Sequence, residues 1–106
     1  MFQALEDSLE VIRMIRGPVA RLRLRDRALW EQIRGAASSV TLNLAEGRGR
    51  TGADRVHLWR VAAGSAQELR AALRVAMAWG DLEEAQVAGA LQVLDRVLAI
   101  LWRLTR

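Results

Sequence analysis

The sequence of 106 residues contains no cysteine and no lysine, and it has a single histidine and a single proline. Without cysteine the chain has no disulfide, thiolate nucleophile or cysteine-ligated metal, which fits a reducing compartment. His57 has no second imidazole to join it at a metal site, and we interpret it as a surface or interface residue. Because we find no activated nucleophile, acid–base pair or metal cluster, we predict that the protein is not an enzyme and uses no cofactor or metal.

Long apolar runs are also absent. The most apolar stretch, residues 85–104, is interrupted by amide and charged side chains at Gln86, Gln92, Asp95 and Arg96. Residues 1–7 carry acids where a signal peptide carries basic residues. We therefore predict a cytoplasmic protein with no membrane partner.

Positive charge is concentrated in the first half of the chain. The net charge is +4, all 16 basic residues are arginine, and the whole excess lies in residues 1–60. The guanidinium fork suits phosphate and RNA, although codon usage in a GC-rich genome explains the absence of lysine better. The densest cluster and its extensions predict a nucleic-acid-binding surface at Arg13, Arg16, Arg21, Arg23, Arg25, Arg27, Arg48 and Arg50, with Arg55 and Arg60 as further candidates. The alternative is a solvated basic face at a helix junction.

The apolar residues recur at helical spacing along most of the chain. The one stretch that alternates between apolar and charged residues, residues 21–25, has no partner strand, and we interpret it as a connection between helices. We predict an all-α fold, an antiparallel up-and-down four-helix bundle, in one domain over residues 1–106. The first helix is predicted at about residues 3–16, before the break at Gly17-Pro18. Its apolar stripe is formed by Phe2, Leu5, Leu9 and Ile12.

Three further helices are predicted to begin at the N-cap residue types Asp26, Thr51 and Asp81. The second ends near Arg48, and the third ends before Gly80, a natural C-terminal stop. Asp54 stands three residues after Thr51, and Glu84 stands three residues after Asp81, so a capping box is predicted at each of these two helix starts.

The third and fourth helices have different apolar patterns. The third has one heptad seam, formed by Trp59, Ala62, Ala66, Leu69, Leu73 and Ala76. The fourth is apolar over two stripes, more than a helix with one buried face needs. We predict that the second stripe contacts another subunit, although a helix placed deep within the chain is the alternative; it comprises Val93, Val97, Ile100 and Leu104.

A polar stripe lies on the second helix, where Ser39, Asn43, Glu46 and Arg50 fall on one face. It either faces solvent or forms hydrogen bonds to a neighbouring helix. A composite active site is the weakest alternative, because neither a histidine nor a lysine is near to activate the serine.

Two blocks of sequence resemble the bacterial "four helix bundle protein" family, which includes the 23S rRNA intervening-sequence proteins. The first block resembles the family signature S-I-P-x-N-I-A-E-G, with Thr41 in place of the proline; it comprises Ser39, Val40, Asn43, Leu44, Ala45, Glu46 and Gly47. The second resembles I-A-x-G-S-x-x-E-L-x-x-x-L and comprises Val61, Ala62, Gly64, Ser65, Glu68, Leu69 and Leu73. Distant relatives are the accessory variability determinant (Avd) proteins of diversity-generating retroelements.

The resemblance implies a four-helix bundle that assembles into a barrel-like homo-oligomer, typically a pentamer. It also implies a bacterial accessory protein that binds nucleic acid, with RNA expected and a reverse transcriptase as a candidate partner. The matching polar and glycine residues, Ser39, Asn43, Glu46, Gly47, Gly64, Ser65 and Glu68, are then structural or interface residues. A protein–protein scaffold with no nucleic-acid role is the alternative function.

Four tryptophans offer a second element for nucleic-acid recognition, since indole rings can stack on bases. Their helical spacing favours core or subunit contacts instead. They are Trp30, Trp59, Trp79 and Trp102.

Overall fold

The helical spacing of the apolar residues produces helices throughout the chain. The computed structural model describes residues 1–106 and contains no strand, so the all-helical prediction is confirmed. The elements are α1 (Gln3–Ile15), a 3-10 turn (Pro18–Arg21), α2 (Leu22–Arg25), α3 (Arg27–Arg48), α4 (Gly52–Ala78) and α5 (Glu84–Thr105). The helices pack into an elongated body of 42 × 22 × 21 Å. None of them combines the length and apolarity needed to cross a membrane.

Pro18 ends the first helix as predicted, because it has no N–H to donate and its ring fits the start of a new turn. The chain continues through the 3-10 turn into α2, a single helical turn. The predicted connection over residues 21–25 is therefore helical. The alternation does not mark a strand, since the helical turn buries Leu22 and leaves Leu24 92% exposed.

The helix caps agree only in part with the prediction. Asp26 caps α3, and its Oδ1 accepts a hydrogen bond from the Leu29 N–H at 3.1 Å. The prediction of a capping box at Thr51 is wrong, because the Thr51 side chain makes no cap hydrogen bond. The next residue, Gly52, has a left-handed φ of +58°, so the first turn does not present its N–H groups to the hydroxyl in the regular way.

The predicted start of the last helix is two residues too early. Gly80 ends the preceding segment with a φ of +82°, and the Asp81 N–H then closes the turn onto the Ala76 carbonyl at 2.9 Å. Asp81 is therefore part of the turn. The N-cap is Glu83, whose N–H donates to the Gln86 side-chain oxygen at 2.8 Å.

The predicted seam of the third helix, now α4, is buried along its whole length. The buried face of α1 is rotated about the helix axis relative to the predicted apolar stripe. This helix packs between α3 and α5, and its buried face is centred on Ala4, Ser8, Val11 and Ile15. The predicted stripe of α1 flanks that face and is half-buried.

The second apolar stripe of α5 is divided between core and surface. Val97 is 0% exposed, so its assignment to a subunit interface is wrong: a side chain buried within one chain has no surface to offer a second copy. Val93 and Ile100 are half-buried against the core. Leu104 is 45% exposed and remains a candidate interface residue.

Candidate nucleic-acid interface

Six arginines lie at one end of the molecule, on the end of α1, the 3-10 turn, α2 and the start of α3. All six side chains are exposed, because the turn after Pro18 buries only Val19 and Leu22. They differ in whether a carboxylate neutralises them. They are Arg13, Arg16, Arg21, Arg23, Arg25 and Arg27.

Three of the six arginines form ion pairs. Arg13 lies 3.1 Å from Glu10, and Arg27 lies 3.2 Å from Glu31, both within one helix. Arg25 reaches Asp81 at 3.6 Å. Arg21 and Arg25 share a cleft with Asp81 and Glu83, so this part of the cluster contains charges of both signs.

The other arginine-rich cleft has no acid. It lies between the end of α1, the 3-10 turn and α3, and has a volume of about 410 Å³. Arg16 and Arg23 lie on its rim together with Arg34, and none of the three forms an ion pair. Sequence reasoning did not include Arg34, although it stands one helical turn after Trp30 and its guanidinium lies 5.7 Å from the indole centroid.

Arg48 and Arg50 do not extend this surface. They stand at the far end of the 22-residue helix α3, about 33 Å from its start at 1.5 Å per residue. The guanidinium of Arg48 lies over the Phe2 ring at 5.7 Å, and Arg50 pairs with Glu46 at 3.3 Å. These two residues therefore lie apart from the six-arginine cluster, and their role in nucleic-acid binding stays a prediction.

Arg55 and Arg60 bind backbone carbonyls at helix ends. Arg55 donates from Nε to the Gly47 carbonyl at 3.1 Å and from Nη2 to the Arg48 carbonyl at 3.0 Å, which satisfies the end of α3. Arg60 donates to the Thr105 carbonyl at 2.7 Å at the end of α5.

The polar stripe on α3 forms hydrogen bonds to the neighbouring helix α4. The hydroxyls of Ser39 and Ser65 are 2.7 Å apart, which joins the two sequence blocks directly. Asn43 Nδ2 donates to the carbonyl of Ser39 at 2.9 Å and to its hydroxyl at 3.0 Å. Glu46 is exposed, so the end of the stripe faces solvent.

Gly47 is needed for the close approach of a buried tryptophan. A Cβ at Gly47 would lie 2.5 Å from both Cδ1 and Nε1 of Trp59. The Trp59 indole N–H donates to the Leu44 carbonyl at 3.2 Å, one turn earlier on α3. This glycine therefore serves packing within the chain. Gly64 and Glu68, from the second block, are exposed, and a Cβ at Gly64 would meet nothing within 4 Å.

Thr41, which replaces the proline of the family signature, leaves α3 continuous from Arg27 to Arg48. Its hydroxyl lies 2.8 Å from that of Ser8. The contact joins α1 to α3 at the position where the family signature has proline.

An ion pair that sequence reasoning missed joins α1 to α5. Asp7 is buried and accepts two hydrogen bonds from Arg96, from Nε at 3.0 Å and from Nη2 at 3.1 Å. The hydrogen bond from Arg96 is the main cause of a lowered Asp7 pKa, and burial opposes it. No periodic pattern could have identified this contact, because the partners are 89 residues apart in sequence.

The four tryptophans have different surroundings. Trp59 belongs to the core, as predicted, but Trp79 and Trp102 are 75% and 66% exposed. Trp30 is half-buried in the cleft described above, and the guanidinium of Arg23 lies 5.3 Å from its centroid. No group of three or more potential metal-ligating side chains occurs in the structure.

The structure thus defines a class of protein: an all-helical chain with polar contacts between its helices and an arginine-rich end. Comparison with protein families places the chain more narrowly, since the model of the 23S rRNA-intervening sequence protein family matches residues 3–103. The chain belongs to this family. Among curated proteins, none matches the chain.

Proposed function

We propose that this protein is a non-enzymatic RNA-binding accessory protein of the bacterial cytoplasm. The observation that carries the proposal is the acid-free cleft, where Arg16, Arg23 and Arg34 are exposed and unpaired. Clustered cations of this kind bind phosphates by releasing condensed counterions, without a need for exact geometry. Membership of a family named for an rRNA insertion makes RNA the nucleic acid to test first.

The test compares two triple variants with the same change in net charge. The first, Arg16→Gln, Arg23→Gln and Arg34→Gln, removes the unpaired cations. The control, Arg13→Gln, Arg27→Gln and Arg50→Gln, removes cations that each already have a carboxylate within 3.3 Å, three or four residues away in sequence. Affinity for a structured RNA is measured by fluorescence anisotropy across a salt series.

We expect the first variant to bind at least tenfold more weakly and to lower the slope of log K against log salt by about 2 to 3, since each phosphate contact contributes about 0.7 to 0.9. The control variant should lose much less affinity. Equal losses would show that overall charge, rather than this cleft, determines binding. Wild-type protein that binds no RNA at low salt would refute the proposal.

We also propose that the chain is a single domain, an antiparallel up-and-down bundle, that assembles into a barrel-like homo-oligomer, with a pentamer expected. Support comes from the apolar surface of α5, where Trp102 is 66% and Leu104 is 45% exposed. A ring of clefts would increase RNA affinity through avidity. Leu104→Asp should reduce the mass measured by light scattering while helicity is retained; an unchanged mass would exclude this position from the interface.

A protein–protein scaffold with no nucleic-acid role is the alternative, and the exposure of Trp79 favours it, because such a large apolar side chain is commonly covered by a partner. A reverse transcriptase is one partner to test. Purification without nuclease separates the two functions. Co-purifying RNA that dissociates in high salt supports RNA binding, whereas a nucleic-acid-free protein with a stoichiometric protein partner supports the scaffold.

A further inference from the structure

The cleft between α1 and α3 has an apolar floor beneath its arginines. Ile12, Ile15, Val19, Ile33 and Ala37 contribute to its walls. Its volume of about 410 Å³ falls within the range of about 300–1,000 Å³ that is usual for sites of small organic ligands. Phosphate binding alone requires cations and does not require an apolar cavity beneath them.

Trp30 lies between the apolar floor and the charged rim. The guanidinium carbons of Arg23 and Arg34 lie 5.3 and 5.7 Å from its ring centroid, within the distance of a cation–π contact. Guanidinium planes and nucleobases occupy aromatic faces in similar ways. A base that entered the cleft could therefore take the place of a guanidinium on the ring, and the released arginine could turn to the phosphate of the same nucleotide.

The neighbouring cleft provides an internal comparison. It also contains two arginines, Arg21 and Arg25, but its lining includes Asp81 and Glu83, and Pro18 is its one apolar side chain. It offers little apolar surface for a base, and its two acids balance the charge of its two arginines. Of these two neighbouring clefts, only the one at Trp30 combines an apolar surface with arginines that no acid neutralises.

We propose that the Trp30 cleft binds one unpaired nucleotide of an RNA, with the base against Trp30 and the apolar floor, and the phosphate at Arg16, Arg23 and Arg34. This inference rests on the proposed RNA-binding function and specifies its ligand. A paired base is held within its helical stack, so only a bulge, loop or single strand can supply the base. The protein therefore distinguishes RNAs by the presence of an unpaired base.

The test uses two RNA hairpins of equal length, one fully paired and one with a single-nucleotide bulge, and the full-length protein. We expect the wild type to bind the bulged hairpin at least fivefold more tightly, the lower end of what one stacked base contributes. Trp30→Leu should abolish this preference while the salt-dependent binding of the paired hairpin stays within twofold. Trp30→Phe, which retains an aromatic face, should retain part of the preference.

Trp79→Leu is the matched control, because Trp79 is 75% exposed and lies outside the cleft. It should leave both affinities unchanged, and circular dichroism should show the same helicity for all variants. If both hairpins bind equally to the wild type, or if Trp30→Leu keeps the preference, the nucleotide site is refuted while RNA binding stands. If neither hairpin binds, both this inference and the proposed function fail.

Discussion

Polar side chains at the α3–α4 contact face each other, whereas those around α2 face solvent. At the contact, Ser39 and Ser65 share a hydrogen bond of 2.7 Å, and Gly47 accommodates the Trp59 ring. Around α2, every arginine is exposed, and half of the six-residue cluster has no ion-pair partner. The two regions are equally prominent in the sequence, yet one contributes to stability and the other to our proposed RNA binding.

The difference teaches that regular spacing and local charge carry different information. Helical spacing predicts which residues meet inside the chain, because the period of the helix fixes their face. Charge density predicts a surface but not which cations are free to bind a ligand. If this division is right, substitutions at the contact should change stability, and substitutions at the cleft should change binding alone.

Gly47→Ala should have the largest effect on stability. The new Cβ would lie 2.5 Å from two atoms of the buried Trp59 ring, so the ring or α4 must shift and the indole hydrogen bond weakens. Overpacking of this kind typically costs about 1–3 kcal/mol. Urea denaturation followed by circular dichroism measures the loss.

Gly35→Ala is the matched control on the same helix. Gly35 is exposed and a Cβ there would meet nothing within 4 Å, so the better helix propensity of alanine should stabilise α3 by up to about 1 kcal/mol. Equal stability of the two variants would show that the family glycine is not required for the Trp59 contact.

Asp7→Asn should have the next largest effect. Asp7 is buried and accepts hydrogen bonds from Arg96 and from Gln3, so the amide loses charge-assisted bonds. The Arg96 side chain is 58% exposed, and solvent screening reduces the loss to about 1 kcal/mol at pH 7. Asp95→Asn is the control, because the Asp95 and Arg70 side chains are 55% and 42% exposed and their ion pair should contribute little.

The effect of Asp7→Asn should depend on pH. The folded-state pKa of Asp7 is lowered, so its contribution is fully present above the unfolded value of about 3.9 and is lost as pH falls through the folded pKa. The difference in stability between the wild type and the variant should therefore begin to shrink below about pH 4 and continue to shrink as the pH falls further. A constant difference from pH 7 to pH 3 would show that the ion pair is not its source.

The sequence predicted much of the fold but little of the cleft. The heptad seam from Trp59 to Ala76 and the break at Pro18 follow from local rules, and the structure contains both. The cleft joins Arg16, Arg23 and Arg34, which come from the end of α1, from α2 and from α3. Their meeting depends on how the helices pack, which no local spacing encodes. The Asp7–Arg96 pair was missed for the same reason.

The smallest effect is expected at the hydrogen bond between the two family blocks, and a double-mutant cycle tests it. Ser39→Ala or Ser65→Ala alone leaves one hydroxyl without its partner across the helices and should cost about 1 kcal/mol. The double variant should lose less than the sum of the single losses, with a coupling of about 0.5–1 kcal/mol, because it removes both polar groups together. Ser38→Ala, at an exposed position on the same helix, should change stability by less than about 0.5 kcal/mol. Additive losses at Ser39 and Ser65 would mean that the two hydroxyls do not interact in solution. The contrast between the α3–α4 contact and the arginines around α2 would then depend on Gly47 and Trp59 alone.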